Sequence, residues 1–118
     1  MDTDQAVVAL SALAQGSRLS VFRKLVELAP DGTYPGDLAQ RLDIPANTLS
    51  FHLKSLLHAG LINAEQNGRF IRYRARLDVM VTLVDFLTEN CCNSDRSRCI
   101  PARTPVRKSA TAKTARLR

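Results

Sequence analysis

The sequence predicts a mainly α-helical fold with one two-stranded β-hairpin, and three observations lead to that prediction. Apolar residues recur at helical spacing in about five segments, whereas between positions 61 and 76 the period shortens to two residues. Asn67-Gly68 stands in the middle of that stretch, and this dipeptide is typical of a hairpin turn. The chain has 118 residues, which is enough for one compact domain.

The first two helices are predicted over residues 4–14 and 18–29. The first segment is rich in Ala, Leu and Val, and the second carries apolar side chains on a single stripe. Ser17 is the expected N-cap of the second helix, because its hydroxyl can accept a hydrogen bond from a backbone N–H of the first turn. Pro30-Asp31-Gly32 then ends that helix.

A third helix over 35–42 and a fourth over 46–59 are separated by the tight break Asp43-Ile44-Pro45. The fourth helix has its leucines on one side, which predicts that this side faces the core. Gly60 suits the position just after the helix, where a left-handed backbone is common.

After the hairpin, a last helix is predicted over 77–90, with apolar residues on most of its sides. At the end of a small domain such a helix must be covered by something. Beyond Asn93 the chain is rich in Ser, Thr, Ala, Pro, Arg and Lys, and it has few large apolar residues. We therefore expect one domain over 1–92 and a basic, disordered tail over 93–118.

The net charge of +6 is carried by the tail. Eight Lys or Arg residues and one acidic residue follow position 89, so residues 1–89 carry a formal charge of −1. The overall charge is therefore poor evidence for nucleic-acid binding by the domain. Because the chain has no apolar run of about 20 residues and no signal-peptide pattern, a cytoplasmic protein without a membrane partner is expected. No nucleophile–base pair is visible, and an enzyme is not expected.

The order of the elements predicts a mainly α winged helix-turn-helix, because two helices joined by a tight break precede a two-stranded hairpin. In this fold the fourth helix reads double-stranded DNA. Its exposed Asn and hydroxyl side chains can hydrogen-bond base edges, its Lys can meet a phosphate, and its Phe can contact thymine methyl groups. An ordinary amphipathic surface helix is the alternative. The residues predicted to contact DNA on this helix are Asn47, Thr48, Ser50, Phe51, His52, Lys54 and Ser55.

The hairpin supplies further candidate contacts, which are Arg69, Arg72 and Arg74. Their guanidinium groups can reach backbone phosphates or a narrow minor groove. The alternative is that they are solvated charges protecting an exposed strand edge. Their place beside the reading helix favours DNA.

The run from Asp37 to Ile62 resembles the DNA-binding signature of the ArsR/SmtB family of metalloregulators. Its core pattern, Ser-x-His-Leu-x-x-Leu-x-x-Ala-Gly-Leu, stands at positions 50–61, and Asn67-Gly68-Arg69 with Tyr73 is similar to the family's wing. Residues 12–19 are similar to the entry of its second helix, so the resemblance covers about residues 5–90. It implies a homodimeric repressor, paired through its first and last helices, that leaves its operator when a metal or metalloid binds.

The candidate effector site consists of Cys91, Cys92 and Cys99, because two ligand patterns of the family are missing. Residues 34–40 contain no Cys, and the last helix contains no His. Three thiolates without an obvious fourth donor suit trivalent arsenic or antimony better than structural zinc. The resemblance adds that some arsenic repressors place an adjacent Cys pair and a third Cys after the last helix. Arsenite or antimonite is thus the expected inducer, with no catalytic cofactor.

Two alternatives stay open. One is a thiol-based redox-sensing regulator of the same fold, which peroxide rather than arsenite would release from DNA. The other is a winged-helix module that binds protein, which would show no salt-sensitive DNA binding.

Overall fold

The computed structural model describes residues 1–98, and it confirms the predicted fold class within them. Cys99 and most of the predicted tail lie outside the described residues. The chain divides into two compact units, and Met1–Leu87 is the first. In order, the main elements of the described residues are α1 (Thr3–Leu13), α2 (Gly16–Glu27), α3 (Pro35–Leu42), α4 (Ala46–His58), β1 (Ile62–Asn67), β2 (Phe70–Ala75) and α5 (Leu77–Thr88). None of the helices over residues 1–98 combines the length and apolar composition that crossing a bilayer requires.

The first two helices begin at side-chain caps. The Asp2 carboxylate accepts a hydrogen bond from the N–H of Gln5 at 2.8 Å, and the Gln5 amide oxygen accepts one from the N–H of Asp2 at 2.9 Å. The prediction of Ser17 as the cap of α2 is wrong, because the cap is Gln15, whose Oε1 accepts from the N–H of Arg18 at 2.8 Å. Gln is not among the favoured capping residues, which is why the pattern pointed to Ser17.

The core forms where α4 packs against α2 and α3. As predicted, α4 buries one stripe of leucines, of which Leu49, Leu53 and Leu56 are each at most 2% exposed. Leu25 of α2 and Leu38 of α3 are fully buried in the same cluster. Burying a side chain of this size is worth about 1.5–3 kcal/mol. The orientation of α4 is therefore fixed by its apolar side, and its polar side is left exposed.

Strands β1 and β2 pair antiparallel from Ile62↔Ala75 to Asn67↔Phe70, and we call this hairpin the wing. Because Asn67 pairs with Phe70, the two-residue turn is Gly68-Arg69, one residue later than the predicted Asn67-Gly68. Gly68 has a φ of +66°. A left-handed glycine at the first turn position suits a type II′ turn, whereas a turn centred on Asn-Gly would have been type I′.

A segment just before α3 runs along the outer edge of β2. Thr33 and Tyr73 exchange backbone hydrogen bonds of 3.0 and 2.8 Å. Gly32 precedes this bridge with a φ of +73°, and a Cβ at that position would lie 2.1 Å from the carbonyl oxygen of Tyr73. Only glycine meets both conditions without a shift of the backbone. The wing is thereby tied to the chain that leads into α3.

Helices α1 and α5 each keep an apolar surface exposed. On α1 the exposed side chains are Val7, Val8 and Leu10, and on α5 they are Leu77, Val81, Val84 and Leu87. Among the residues of α5 only Leu83 is buried. The helix is apolar on most sides, as predicted, and in the single chain much of this apolar surface is open to solvent.

Candidate nucleic-acid interface and thiol pair

The exposed side of α4 carries most of the side chains predicted to contact DNA. Asn47, Thr48, Ser50, Phe51 and Lys54 are exposed, and Ser55 is half-buried. Phe51 is 62% exposed, although its ring lies 6.1 Å from the His52 ring, and such exposure of a large aromatic side chain is typical of a contact surface. The surface thus combines hydrogen-bonding groups, one cation and one aromatic ring on the side of the helix opposite the core.

The start of α4 adds backbone donors to this surface. Its N-cap is Pro45, which provides no side-chain hydrogen bond to the first turn. The Asn47 side-chain carbonyl accepts a hydrogen bond of 2.9 Å from the N–H of Thr48, so the amide NH₂ of Asn47 is the part that points to other partners. Uncapped N–H groups and the positive end of the helix dipole favour an anion such as a phosphate at this end.

His52 requires a correction, because its side chain lies in the core and not on the reading surface. It is 6% exposed, and its Nδ1 has no hydrogen-bond partner. At 100° per residue, position 52 falls beside Leu56 and Leu49 at the edge of the leucine stripe, and the packed domain covers that edge. Burial lowers the pKa of His52 below its ordinary value, and the positive charge of Arg18 lowers it further. Because the side chain is buried in the core, it does not lie on the surface predicted to meet DNA.

The three wing arginines differ in what they already contact. Arg69 lies exposed in the turn. Arg72 donates from Nη1 to the carbonyl oxygen of Asp31 at 3.3 Å and from Nη2 to the hydroxyl of Tyr34 at 2.9 Å. Arg74 donates from Nε to the same Asp31 oxygen at 3.2 Å and pairs with Glu65 at 2.9 Å. Arg72 and Arg74 therefore hold the wing in place, in addition to the predicted contacts with DNA.

Two residues near this surface escaped the sequence prediction. Arg18 is half-buried, its Nε donates to the carbonyl oxygen of Ala12 at 2.8 Å, and it lines an open groove with Phe51 and Lys54. Tyr34 contacts the wing from a position 33 residues away in sequence. No local pattern marks either residue, because each is placed by packing between elements that are distant along the chain.

The predicted effector site is described only in part. Cys91 and Cys92 follow the end of α5 after two intervening residues and are half-buried, and their sulfur atoms are 3.6 Å apart. The Cys92 thiol also donates to the carbonyl oxygen of Arg98 at 3.3 Å. Cys99 lies outside the described residues. Within residues 1–98, no group of three or more His, Cys, Asp or Glu side chains is arranged to hold a metal ion.

The backbone at this pair is locally unusual. Cys92 has a φ of +54°, and its neighbours Asn93 and Ser94 have φ values of +59° and +68°. Left-handed backbone is costly for residues with a Cβ other than Asn and Asp. The segment nevertheless brings two sulfurs into contact.

Comparison with known proteins agrees with the fold and with the position of this surface. Residues 13–65 match the model of a helix-turn-helix domain, which covers α2, α3, α4 and the start of β1. The transcriptional activator HlyU of Vibrio cholerae serotype O1 is 26% identical over 92 residues, which cover 78% of this chain and 82% of HlyU.

Solved structures agree with that match. An ArsR-like transcriptional regulator from Rhodococcus sp. RHA1 is 26% identical with a TM-score of 0.67, covering 80% of this chain and 86% of that chain. The homodimeric winged helix-turn-helix DNA-binding domain of Mb0332 from Mycobacterium bovis, a possible ArsR-family regulator, is 27% identical with a TM-score of 0.57, covering 72% and 83%. Together with the signature at positions 50–61, these matches confirm the resemblance found in the sequence. The chain therefore contains a helix-turn-helix domain and shares its winged fold with ArsR-like transcriptional regulators.

Proposed function

We propose that this protein is a homodimeric, cytoplasmic repressor that binds an inverted-repeat operator and leaves it when trivalent arsenic or antimony binds Cys91, Cys92 and Cys99. The observation that carries the proposal is the pair of sulfur atoms, 3.6 Å apart, which begins three residues after the end of α5. The remaining support comes from the reading surface and from the apolar surfaces of α1 and α5.

DNA recognition is divided between α4 and the wing. Asn47, Thr48 and Ser50 offer donors and acceptors at the end of α4 where a reading helix enters the major groove. Lys54 and Arg69 offer exposed cations for the phosphate backbone. The first 89 residues carry no net positive charge, so this local placement, rather than a general basic surface, supports binding.

Dimerisation is supported by the apolar surfaces of α1 and α5. Val81 and Leu87 are each more than half exposed, and Val7 of α1 is 53% exposed. Covering such surfaces with a second copy gains about 25 cal/mol for each Å² of apolar area removed from water. A two-fold dimer would present two copies of α4 to half-sites about one helical turn apart. The relative from Mycobacterium bovis is homodimeric.

The thiol pair suits a soft, thiophilic ion. An ion with bonds of about 2.3 Å to sulfur and near-tetrahedral angles holds its sulfur ligands roughly 3.8 Å apart, close to the separation of the Cys91 and Cys92 sulfurs. Arsenite would exchange its As–O bonds for As–S bonds to the Cys thiols, and the thiol protons would leave with the displaced hydroxide as water. The sequence offers Cys99 as the third sulfur. Zinc would need a fourth ligand, and the described residues offer no obvious one.

Release would follow from the position of the site in the chain. Cys91 lies three residues after the end of α5, and α5 is one of the two proposed dimer helices. An ion that joins Cys91, Cys92 and Cys99 closes a short loop at this point and favours a dimer geometry in which the two α4 helices no longer match the operator. DNA affinity and ion affinity would then be coupled reciprocally.

The test is an anisotropy titration. A fluorescein-labelled duplex of about 30 base pairs, selected by the wild-type protein from a randomised library, is bound and then titrated with arsenite, antimonite or zinc. We expect arsenite and antimonite to release the DNA and zinc to leave it bound. Retention of DNA with both metalloids would refute the inducer, and failure to select any duplex would refute DNA recognition itself.

Serine variants locate the site. C91S, C92S and C99S should each keep the fold and the DNA affinity, because the thiols lie outside the reading surface. Each should blunt or abolish release, because a hydroxyl does not replace a soft sulfur. S94G, which changes a hydroxyl in the same segment without removing a thiol, is the matched control and should respond as the wild type does. If C91S and C92S both released DNA at the arsenite concentrations that suffice for the wild type, the metalloid site would lie elsewhere.

The direction of regulation needs its own experiment, because the relative from Vibrio cholerae is an activator. A reporter gene behind the selected duplex should be silent with the protein present and expressed after addition of arsenite. Expression that depends on the protein without arsenite would make it an activator.

The contact between the two sulfurs also favours a second candidate, a redox-sensing regulator. Hydrogen peroxide would oxidise the Cys91 and Cys92 thiols to a disulfide, taking two electrons and two protons and yielding two water molecules. In that case peroxide releases the DNA, dithiothreitol restores binding, and arsenite has no effect on the oxidised protein.

A further inference from the structure

Tyr34 stands where the wing meets the chain that leads into α3. Its hydroxyl oxygen accepts hydrogen bonds from Nδ2 of Asn67 at 2.8 Å and from Nη2 of Arg72 at 2.9 Å. The Arg72 guanidinium carbon lies 4.9 Å from the centre of the Tyr34 ring, and the Phe70 ring meets that ring edge-on at 5.9 Å. One side chain therefore contacts both strands of the wing.

The backbone holds Tyr34 in this position. Tyr34 precedes Pro35, which restricts it to extended backbone, and its φ of −101° and ψ of 155° agree with that restriction. Thr33 is paired with Tyr73, and the Asp31 carbonyl oxygen accepts from both Arg72 and Arg74. Residues 31–34 thus form a short brace along β2 that ends where α3 begins.

The wing needs such a brace because it has little core of its own. In β1 only Ile62 is buried, and no residue of β2 is buried. An isolated two-stranded hairpin is marginally stable in water. The direction of the wing relative to α4 therefore depends on contacts with the body of the domain, and those of Tyr34 lie closest to the turn.

Arg69 is the residue whose position depends on this brace. It lies in the turn and is exposed, and its side chain makes no hydrogen bond or ion pair within residues 1–98. We propose that Tyr34 is a positioning residue, which holds the wing so that Arg69 meets the DNA backbone. This proposal rests on the proposed DNA recognition. Tyr34 itself contacts no DNA in this arrangement, and Arg72 acts as its partner in the brace.

The test compares Y34F with Y73F, the same substitution on the adjacent strand. Y34F removes the oxygen that accepts both hydrogen bonds and keeps the ring that contacts Phe70 and Arg72. The Tyr73 hydroxyl has no hydrogen bond within the described residues, so Y73F is the matched control. On the selected duplex we expect Y34F to bind about tenfold more weakly and Y73F to bind as the wild type does.

Two further readouts separate positioning from general destabilisation. The slope of log K against log salt is negative, and its magnitude should decrease by about one for Y34F, as it should for R69A, because one phosphate contact is lost. The double variant Y34F/R69A should bind about as strongly as R69A alone, because Tyr34 acts through Arg69. Additive losses, or an unchanged salt slope in Y34F, would overturn the proposal.

Hydrogen–deuterium exchange of the free protein measures whether the brace stabilises the wing in the absence of DNA. Peptides covering residues 62–75 should exchange faster in Y34F than in the wild type and Y73F, whereas peptides from α4 should not change. Equal exchange in the wing would show that Tyr34 does not hold it. If the wild type bound no duplex, the proposed function would fail, and this measurement would still decide whether the brace exists.

Discussion

Helix α4 and the wing present their candidate DNA contacts by different physical means. On α4 the exposed polar side is fixed because the leucines of the opposite side are buried. On the wing the positions of the cations depend on hydrogen bonds and ring contacts with residues 31–34. Buried positions recur at a regular spacing along a helix, so the sequence can predict them. The brace joins residues that are distant in sequence and that only the folded chain brings together. The following predictions test whether this difference is real.

The largest effect is expected from the buried side of α4. L53A should lower the free energy of unfolding by about 2–5 kcal/mol, because Leu53 is 2% exposed and its removal leaves a cavity. F70A in the wing should cost no more than about 1.5 kcal/mol, because Phe70 is 64% exposed and loses chiefly its contact with Tyr34. Urea denaturation of both variants gives the values. Equal losses would mean that the wing is part of the core.

The next effect concerns the backbone of the brace. G32A should destabilise the protein by about 1–3 kcal/mol, because its φ of +73° is strained for Ala and the new Cβ would meet the Tyr73 carbonyl. Gly36 lies inside α3 with no atom within 4 Å of an added Cβ, so G36A is the control and should leave stability unchanged or raise it. Thermal unfolding compares the two. A G32A protein as stable as G36A would show that the brace adjusts easily.

A comparable effect on binding should separate base reading from phosphate contact within α4. N47A should cost about 1–3 kcal/mol on the selected duplex and relax its sequence preference. K54A should weaken binding to all duplexes alike and lower the salt slope by about one. Competition binding against scrambled duplexes measures both. A reversal of these two patterns would contradict the assignment of roles on α4.

The smallest effect is the pH dependence that His52 introduces. Because its pKa is lowered in the folded protein, the unfolded chain binds the proton first as the pH falls. The stabilisation is complete above the ordinary His pKa of about 6.5 and is lost progressively as the pH falls from there toward the lowered pKa. H52Q should flatten this part of the urea-midpoint profile, whereas H58Q, at an exposed position, should retain it. An unchanged profile in H52Q would assign the dependence to other groups.

The sequence was sufficient to predict the helices where strong local signals stand at their ends. The predicted bounds of the third helix, 35–42, are those of α3, because Pro35 can begin a helix and the Asp43-Ile44-Pro45 break ends it. The buried leucines of α4 followed from their spacing. The start of α2 was missed because Gln15, and not Ser17, caps the helix. The capping pattern favours short side chains such as Ser, so it gives no signal for a long Gln side chain that reaches the same backbone N–H.

The candidate site was less accessible to such arguments. His52 was predicted to contact DNA as a residue flanking the apolar stripe of α4, yet in the structure the buried edge of that stripe includes it. The second role of Arg72 and Arg74 depends on Asp31, which is about forty residues away in sequence. The thiol site was predicted from composition and resemblance, and two of its three members are described.

The bridge between Thr33 and Tyr73 also has a consequence for solubility. An open strand edge is a template on which another chain can add a strand, and the bridge occupies part of that edge on β2. The other edge belongs to β1, whose sequence Ile-Asn-Ala-Glu-Gln-Asn places Glu65 and amide side chains along it and contains a single large apolar residue. Neither edge offers a long apolar strand for pairing. The wing can therefore project into solvent without becoming a site at which molecules aggregate.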